Sequence, residues 1–302
     1  MDRKNLAIGI VFLLQGTVGI LGNFSLLSYY LIHYYIGQKL KTKDLILSHL
    51  FTANSLIIVS KGVLETIQAF GMKWFISDFG CNLLLYIQRL GRIMSIGTTT
   101  LLTVYQAITI SPSDSCWKDL KVKAPKYIGL SIFLCWVLFM VINMISPLYL
   151  SIKGNSKNLT HTRDLKYCST VGYNEVMGLL YTTFFVFPEV LLSVIIAWTG
   201  GSMVFILYRH KQRVQHIHST HVSTSASPES RATQSILVLV FTFLGFYALS
   251  SILQGWNALV YSSGWWVMNI TAIISMCFPT LCPFIISHNS IVFKFIFSCL
   301  WN

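Results

Sequence analysis

Seven polar or ionisable side chains stand inside apolar stretches of this 302-residue chain, and they are its best candidates for chemistry. An ionised side chain at membrane depth is costly, so it normally faces the interior of a helix bundle and has a partner there. Such groups can bind a ligand or fix helices to one another. The candidates are Lys61, Glu65, Gln68, Gln88, Arg89, Arg92 and Glu189.

The first three of them have the spacing of one helix face. Lys61, Glu65 and Gln68 stand at i, i+4 and i+7, and residues at that spacing lie above one another on a helix. The Glu65 carboxylate is the natural counter-ion for Lys61 or for an arginine of the next apolar segment. Glu189, which follows Pro188, is another candidate counter-ion.

The next apolar segment carries Arg89 and Arg92, which are three residues apart and therefore share a face, with Gln88 beside them. The pattern predicts a polar cavity lined by the second, third and fifth helices, with net positive character. Such a cavity favours anionic or carbonyl-rich apolar ligands. A second interpretation stays open, in which these groups form interhelical ion pairs that only fix packing, or the arginines extend outward to the interface.

The composition indicates the elements that must position these groups. The chain is 54% hydrophobic and only 11% charged, and its mean hydropathy is +0.63. A soluble domain carries about 25% charged residues, so this chain is predicted to be an integral membrane protein. The net charge of +12 lies in short segments between apolar runs. We therefore expect contact with lipid headgroups rather than with nucleic acid.

Seven apolar segments are long enough to span a bilayer, and backbone groups in hydrocarbon must be satisfied internally, so each is expected to be helical. The first, 27 residues without a charge, suits an uncleaved span. The third would be about 45 Å long, so it must tilt or protrude. The fold class is an all-α seven-helix bundle in one domain, 1–302. The predicted helices cover about 6–32, 45–70, 81–110, 127–150, 175–208, 233–257 and 265–287.

The loop charges predict the orientation. With the N-terminus outside and the C-terminus inside, the inner segments hold twelve lysines and arginines and the outer segments hold seven. An excess of basic residues on the cytoplasmic side favours this arrangement. The sequon Asn158-Leu159-Thr160 then lies in an outer loop, and Asn158 is the predicted glycosylation site.

Two cysteines lie near loops on the predicted outer side, where disulfides persist. A bond between Cys81 and Cys168 would join the start of the third helix to the second outer loop and hold that loop over the bundle. Two free thiols are the alternative. The sequence has no Cys-x-x-Cys pair and no cluster with zinc-ligand spacing, so no metal or cofactor is expected.

Several short motifs, in order along nearly the whole chain, resemble the vomeronasal type-1 receptors, a family of pheromone-sensing G-protein-coupled receptors. Each motif alone is modest evidence, but together they are specific. The motifs are Leu47-Ser48-His49-Leu50, Ser60-Lys61-Gly62, Gln106 to Pro112, Leu120 to Tyr127, Asp164 to Cys168, Tyr208 to His218, Ser227 to Thr233 and Phe278-Pro279-Thr280.

The resemblance implies a rhodopsin-like bundle in the plasma membrane of vomeronasal sensory neurons, a small-molecule pheromone ligand and an inhibitory-class heterotrimeric G protein. The Cys81–Cys168 bond and a glycan on Asn158 fit the family pattern. Arg89 and Arg92 fall in a stretch that looks family-wide, which favours a scaffold role. The residues expected to contact the G protein are Gln106, Lys121, Lys123, Arg209, Lys211 and Arg213.

The chain also departs from the broader rhodopsin-like class. Tyr105-Gln106-Ala107 stands where that class has Asp-Arg-Tyr, so the inactive state must be held without the usual arginine latch. Asn54 replaces an aspartate, which puts a sodium site in doubt. Gln88 replaces the aspartate that amine receptors use, so amine capture at that position is not expected. Glu65 is hypothesised to shape ligand choice.

Other function classes require sequence features that differ from those of this chain. A bitter-taste-type receptor is a related bundle, but it lacks the Ser111-Pro112 and 209–218 signatures. A transporter or channel needs polar groups along both halves of a path, and here they concentrate in the outer half. An enzyme needs clustered His, Asp or Glu at catalytic spacing. Most of the eight histidines lie in loops, so no enzymatic activity is expected.

Overall fold

The computed structural model describes nine stretches of the chain, and they contain seven long helices and one short pair of strands. The described residues are 3–37, 40–72, 77–111, 115–154, 162–164, 169–171, 186–217, 228–259 and 264–288. The elements are α1 (Arg3–Tyr35), α2 (Thr42–Ala69), α3 (Asp78–Ile110), α4 (Ser115–Gly154), β1 (Thr162–Asp164), β2 (Ser169–Val171), α5 (Phe187–Ile217), α6 (Pro228–Leu259) and α7 (Trp265–His288).

All seven helices are long and apolar enough to cross a membrane, which confirms the all-α bundle. The helix bounds differ from the prediction at the polar ends. α4 begins at Ser115 rather than near 127, and α5 continues to Ile217 rather than ending near 208. An apolar run marks the thickness of the hydrocarbon, whereas Lys, Arg and Gln continue a helix readily in water. The predicted stretch 175–185 lies outside the described residues.

The strands β1 and β2 pair antiparallel, with Thr162 opposite Val171 and Asp164 opposite Ser169. The sequence predicted only a polar loop in this region. Three residues per strand are too few to show a periodic pattern, so a pairing of this length leaves no clear signal in sequence.

The helix ends near Cys81 have recognisable local causes. Ser77 precedes α3, and its Oγ accepts a hydrogen bond from the Gly80 N–H at 3.2 Å, which caps the first turn. α2 ends before Gly71, whose φ of +73° is in the left-handed region that glycine adopts without strain. The two ends meet across a short connection. We call this end of the bundle, with the helix turns next to it, the Cys81 half, and the opposite part, where α3 ends and α4 begins, the Lys121 half.

α2 and α3 form the centre of the bundle. In their apolar stretches 67% and 61% of the residues are buried, against 17% in each of α1, α4 and α5. The two helices approach closely, since a Cβ added at Gly91 of α3 would lie 3.0 Å from the Ala53 carbonyl oxygen of α2. α2 and α3 therefore share the central position.

The main apolar core fills the Lys121 half. It is built from the later turns of α1, α3 and α7, the early turns of α2, α4 and α6, and the middle of α5. Phe243 and Phe278 meet edge to face with ring centroids 4.7 Å apart, and Tyr30 stacks on Phe51 at 6.2 Å. Dense packing of this kind fixes the relative positions of the helices, because a close-packed interior has few alternative arrangements.

α7 carries two prolines, and α1 compensates for one of them. Pro283 has no N–H, so the carbonyl of Pro279, one turn earlier, has no donor from its own helix. The side-chain amide of Asn23 donates to that oxygen at 3.0 Å and also donates to Gly19 O at 2.7 Å. A buried carbonyl is satisfied in this way across two helices, and α1 is tied to α7.

Candidate functional site

An ion pair in the Cys81 half joins three helices. Arg92 of α3 donates from Nε to Glu189 Oε1 of α5 at 3.0 Å and to the Tyr247 hydroxyl of α6 at 2.9 Å. Its Nη2 donates to Ser251 Oγ at 3.2 Å, and the guanidinium carbon lies 4.3 Å from the centre of the Tyr247 ring. The planar guanidinium thus contacts a carboxylate, two hydroxyls and an aromatic face at once. We call these four residues the Arg92 cluster.

Glu65 and Glu189 were both predicted as counter-ions for an arginine of α3, and the structure pairs one of them with Arg92. Glu189, the second candidate, makes the ion pair with Arg92. The side chains of Arg92 and Glu189 are 19% and 21% exposed, so the pair is shielded from solvent but reachable from the neighbouring space. A partly buried pair of this kind depends on good geometry, which the additional hydroxyl contacts supply.

A small space beside the Arg92 cluster forms the first cavity, which we call the central cavity. Its polar walls are Lys61, Gln88, Arg92 and Ser95, and it is closed by aromatic residues of α6 and by α7. Its volume of about 40 Å³ is enough for a few water molecules. The Lys61 ammonium donates to Ser275 Oγ of α7, and Ser275 in turn donates to Ala272 O at 2.7 Å.

The position of the central cavity corrects one prediction. The sequence predicted a cavity between the second, third and fifth helices, but the lining residues come from α2, α3, α6 and α7. α5 contributes indirectly: its Glu189 pairs with Arg92, and Arg92 lines the cavity. Helical periodicity tells which residues share a face, but it does not tell which neighbouring helix that face meets.

A second cavity lies nearer the end of the Cys81 half, between α1, α2 and α7, and we call it the Glu65 cavity. Its volume is about 300 Å³. The lining residues are Asn5, Ile8, Glu65, Gln68, Ala69, Gly71, Trp265 and Asn269. The predicted face of α2 is therefore divided: Lys61 borders the central cavity, whereas Glu65 and Gln68 border the roomier one.

The two neighbouring arginines of α3 have different surroundings. Arg89 is half-buried and donates from Nε to Leu85 O of its own helix at 3.3 Å. It lies outside the walls of both cavities described above. Of this pair, Arg92 lines the central cavity and Arg89 does not.

The residues expected to contact a G protein lie at or near the Lys121 half. Lys121 donates to Ser111 O at 2.6 Å, which ties the start of α4 to the end of α3. Lys123 and Arg209 are exposed, whereas Gln106 is only 8% exposed. Lys211 and Arg213 belong to α5, but their side chains lie outside the part of the chain that the structure describes.

Cys81 is disulfide-bonded, and its side chain is only 3% exposed. Cys168, its predicted partner, and Asn158, the predicted glycosylation site, lie outside the residues that the structure describes. The Cys81–Cys168 pairing and the glycan therefore stay predictions. In the described ranges no group of three His, Cys, Asp or Glu side chains could hold a metal ion.

Sequence reasoning missed the hydroxyl groups that complete the polar contacts. Tyr247, Ser251 and Ser275 are uncharged residues in very apolar helices, so they did not stand out beside arginines and glutamates. A usable signal was present: Tyr247 and Ser251 are four residues apart, which puts two hydroxyls on one face of α6. The Arg92 guanidinium meets that face.

Comparison with known proteins gives a family and several close relatives. The model of the family described as "Vomeronasal organ pheromone receptor family" matches residues 6–298. Human vomeronasal type-1 receptor 4 is 46% identical over 299 residues, which is 99% of each chain. Human vomeronasal type-1 receptor 2 is 49% identical over 91% of this chain and 69% of its own length. Mouse vomeronasal type-1 receptor 45 is 34% identical over 85% of this chain and 83% of its own.

Proposed function

The chain belongs to the vomeronasal type-1 receptor family, and from that premise we propose that it binds a small anionic or carbonyl-rich apolar chemosignal and activates an inhibitory-class G protein. Membership makes it a multi-pass membrane receptor of the G-protein-coupled chemosensory type rather than an enzyme. It also favours this function over the bitter-taste-type and transporter alternatives. The ligand class, the G-protein class and the location in the plasma membrane of vomeronasal sensory neurons belong to the proposal.

The proposed orientation places the N-terminus and the Cys81 half outside the cell and the Lys121 half inside. The bias of basic residues toward the proposed inner segments supports it. A ligand then reaches the two cavities from the extracellular side. The exposed Lys123 and Arg209 meet the cytosol, where a G protein binds.

The single observation that carries the proposal is the position of the Arg92 cluster beside the central cavity. Arg92 and Lys61 present a guanidinium and an ammonium to the same space. Both groups only donate hydrogen bonds, so they recognise a carboxylate, sulfate or carbonyl oxygen. The aromatic residues Phe243, Phe246 and Phe278 supply the apolar wall for the rest of the ligand.

The same geometry suggests how binding reaches the proposed inner side. The central cavity holds only about 40 Å³, so a ligand of ordinary size must displace its walls. An acceptor that takes a hydrogen bond from Arg92 competes with Glu189 of α5 and Tyr247 of α6. The intact Arg92 cluster therefore favours one arrangement of α5 and α6, and a bound ligand favours another. A ligand that binds the second arrangement more tightly increases the fraction of receptors that adopt it.

Paired arginine variants test the proposal in cells that express the receptor with an inhibitory G protein. In a panel of carboxylates, sulfates and ketones, ligands that signal through the wild-type receptor should lose at least about tenfold in potency with Arg92→Gln, since a charge-assisted hydrogen bond contributes roughly 1.5–3 kcal/mol. Arg89→Gln, the matched control, should keep its potency within about threefold, because a change of that size is under about 1 kcal/mol.

Three outcomes would contradict the proposal. The ligand class is wrong if Arg92→Gln responds like the wild-type receptor to every active compound. The G-protein class is wrong if signals persist when inhibitory G proteins are blocked. Ligand-dependent solute flux without any G protein would instead indicate a transporter or channel.

A further inference from the structure

Of the two cavities described above, the Glu65 cavity is the roomier. At about 300 Å³ it reaches the lower bound of small-molecule sites, whereas the central cavity is far smaller. It lies between the last turns of α2 and the first turns of α1 and α7.

On its α2 side, the Glu65 cavity is lined by two polar side chains that can accept hydrogen bonds, whereas on its α7 side the Asn269 amide already donates to Trp265 O at 2.8 Å. Glu65 is only 5% exposed, and its carboxylate contributes up to four acceptor positions to the wall. Gln68 lies three residues further along α2, and its side-chain oxygen Oε1 is buried without a hydrogen-bond partner among the described residues. A buried acceptor without a donor costs free energy, and a donor from a bound molecule would remove that cost.

The other walls of the Glu65 cavity suit an apolar body. Ile8 of α1 and Ala69 of α2 contribute aliphatic surface, and Trp265 of α7 contributes an indole. Trp265 packs edge to face on Trp266 with centroids 4.8 Å apart, and Trp266 is exposed. Tryptophans gather at the membrane–water interface, which is also where amphipathic amines accumulate.

We propose that the Glu65 cavity is a second ligand site, for a small amphipathic primary ammonium whose charge is held by Glu65 and Gln68 and whose apolar part packs against Trp265. A cation beside a buried carboxylate and an aromatic wall combines charge-assisted hydrogen bonds with a favourable contact to the ring. This site goes beyond the proposed function, which concerns anionic or carbonyl-rich ligands in the central cavity.

The two cavities therefore select opposite charges along one face of α2. The order along α2 is Lys61, Glu65 and Gln68. The Glu65 carboxylate therefore stands between the Lys61 ammonium and the proposed ligand. One helical turn of about 5.4 Å separates successive positions. Lys61 contacts Ser275 in the central region, and Glu65 and Gln68 face the other space.

Direct binding to the purified full-length receptor tests this site without signalling, so its failure is distinguishable from failure of the proposed function. The probe is benzylammonium, with benzyl alcohol and benzoate as the neutral and anionic counterparts. Binding is followed through the midpoint of thermal unfolding as probe concentration rises, since a ligand of the folded state raises that midpoint. Benzylammonium should raise it saturably, and the two counterparts should not at the same concentrations.

Two variants and one control locate the site. Glu65→Gln should raise the dissociation constant for benzylammonium by about tenfold or more, as loss of a charge-assisted hydrogen bond implies. Gln68→Met keeps the side-chain length and removes the acceptor, so it should raise the constant by about threefold to tenfold without lowering the midpoint of the free receptor. Gln88→Met alters the central cavity and should leave benzylammonium binding unchanged.

Each other result overturns the proposal. Equal stabilisation by benzylammonium and benzoate shows a site without charge selection, and no stabilisation by benzylammonium shows no site. Unchanged binding in both Glu65→Gln and Gln68→Met, or weakened binding in Gln88→Met, places the ammonium elsewhere. If Glu65→Gln does not fold, the Gln68→Met variant alone decides.

Discussion

The Cys81 half and the Lys121 half of the bundle are built from the same seven helices but are held together differently. The Cys81 half contains the two cavities described above, small apolar clusters, and contacts between charged and hydroxyl groups such as the Arg92 cluster. The Lys121 half is built mainly on the large apolar core, in which Tyr30 stacks on Phe51. Hydrogen-bonded groups can exchange partners with a ligand, whereas a packed core resists local change. The comparison teaches that exchangeable polar contacts are concentrated in the Cys81 half, whereas the large apolar core positions the helices in the Lys121 half.

Removing a core ring should produce the largest effect and test whether the Lys121 half sets stability. Phe51 is fully buried in the main core, and Phe51→Ala should lower the free energy of unfolding by about 3–5 kcal/mol because a cavity is left behind. Phe24→Ala is the matched control, since Phe24 is 50% exposed on α1. Thermal unfolding of the purified receptor measures both. Equal losses would show that the apolar core is not what distinguishes the halves.

Separating the Arg92–Glu189 pair should produce the next largest effect and test whether the Cys81 half is held by polar contacts. A double-mutant cycle with Arg92→Gln and Glu189→Gln should give a coupling of about 1.5–3 kcal/mol in unfolding free energy, the range of hydrogen bonds to charged groups. The parallel cycle, which combines Arg89→Gln with Glu189→Gln, should give a coupling of less than about 0.5 kcal/mol. A coupling near zero for the first cycle would mean that the pair does not join α3 to α5.

The Asn23 contact lies where the two halves meet, because its acceptor residue Pro279 also lines the central cavity. Asn23→Ala should cost about 1–3 kcal/mol by leaving the Pro279 carbonyl buried without a donor. In a Pro283→Ala background the helix regains its own N–H for that carbonyl, so the same substitution should cost less. The unfolding midpoints of the four proteins test this, and an unchanged cost in the second background would refute the explanation.

The smallest expected effect concerns the link between α3 and α4. Lys121→Met removes the donor to Ser111 O and should lower the unfolding free energy by about 0.5–1.5 kcal/mol. Lys123→Met, at an exposed position two residues away, should change it by less than about 0.5 kcal/mol. Should both variants lose the same stability, the lysine acts through general charge rather than through this hydrogen bond.

The number and type of the helices could be predicted from the sequence because spanning a bilayer requires long apolar runs. The ends could not, because polar residues such as Arg209 prolong α5 in water without any apolar signal. The candidate site was predicted in part. The ionised residues of α2 and α3 stood out by type and spacing, but their surroundings depend on which helices become neighbours.

The Arg92 cluster illustrates that limit. Arg92 required a partner, and two glutamates were available, yet only the packing of α5 and α6 against α3 selected Glu189 with Tyr247. The Glu65 cavity was missed for the same reason. The spacing of Glu65 and Gln68 gave their shared face, but the space they border depends on where α1 and α7 begin.

The continuation of α5 through the basic tract has a mechanical consequence. From Glu189 to Ile217 the helix is unbroken, a rigid rod of about 42 Å that exceeds the roughly 30 Å of bilayer hydrocarbon. Near its start the helix is held by the ion pair between Glu189 and Arg92, so a small tilt about Glu189 moves the far end most. A tilt of about 5° at Glu189 swings Ile217 sideways by about 4 Å, given the rise per residue of a helix.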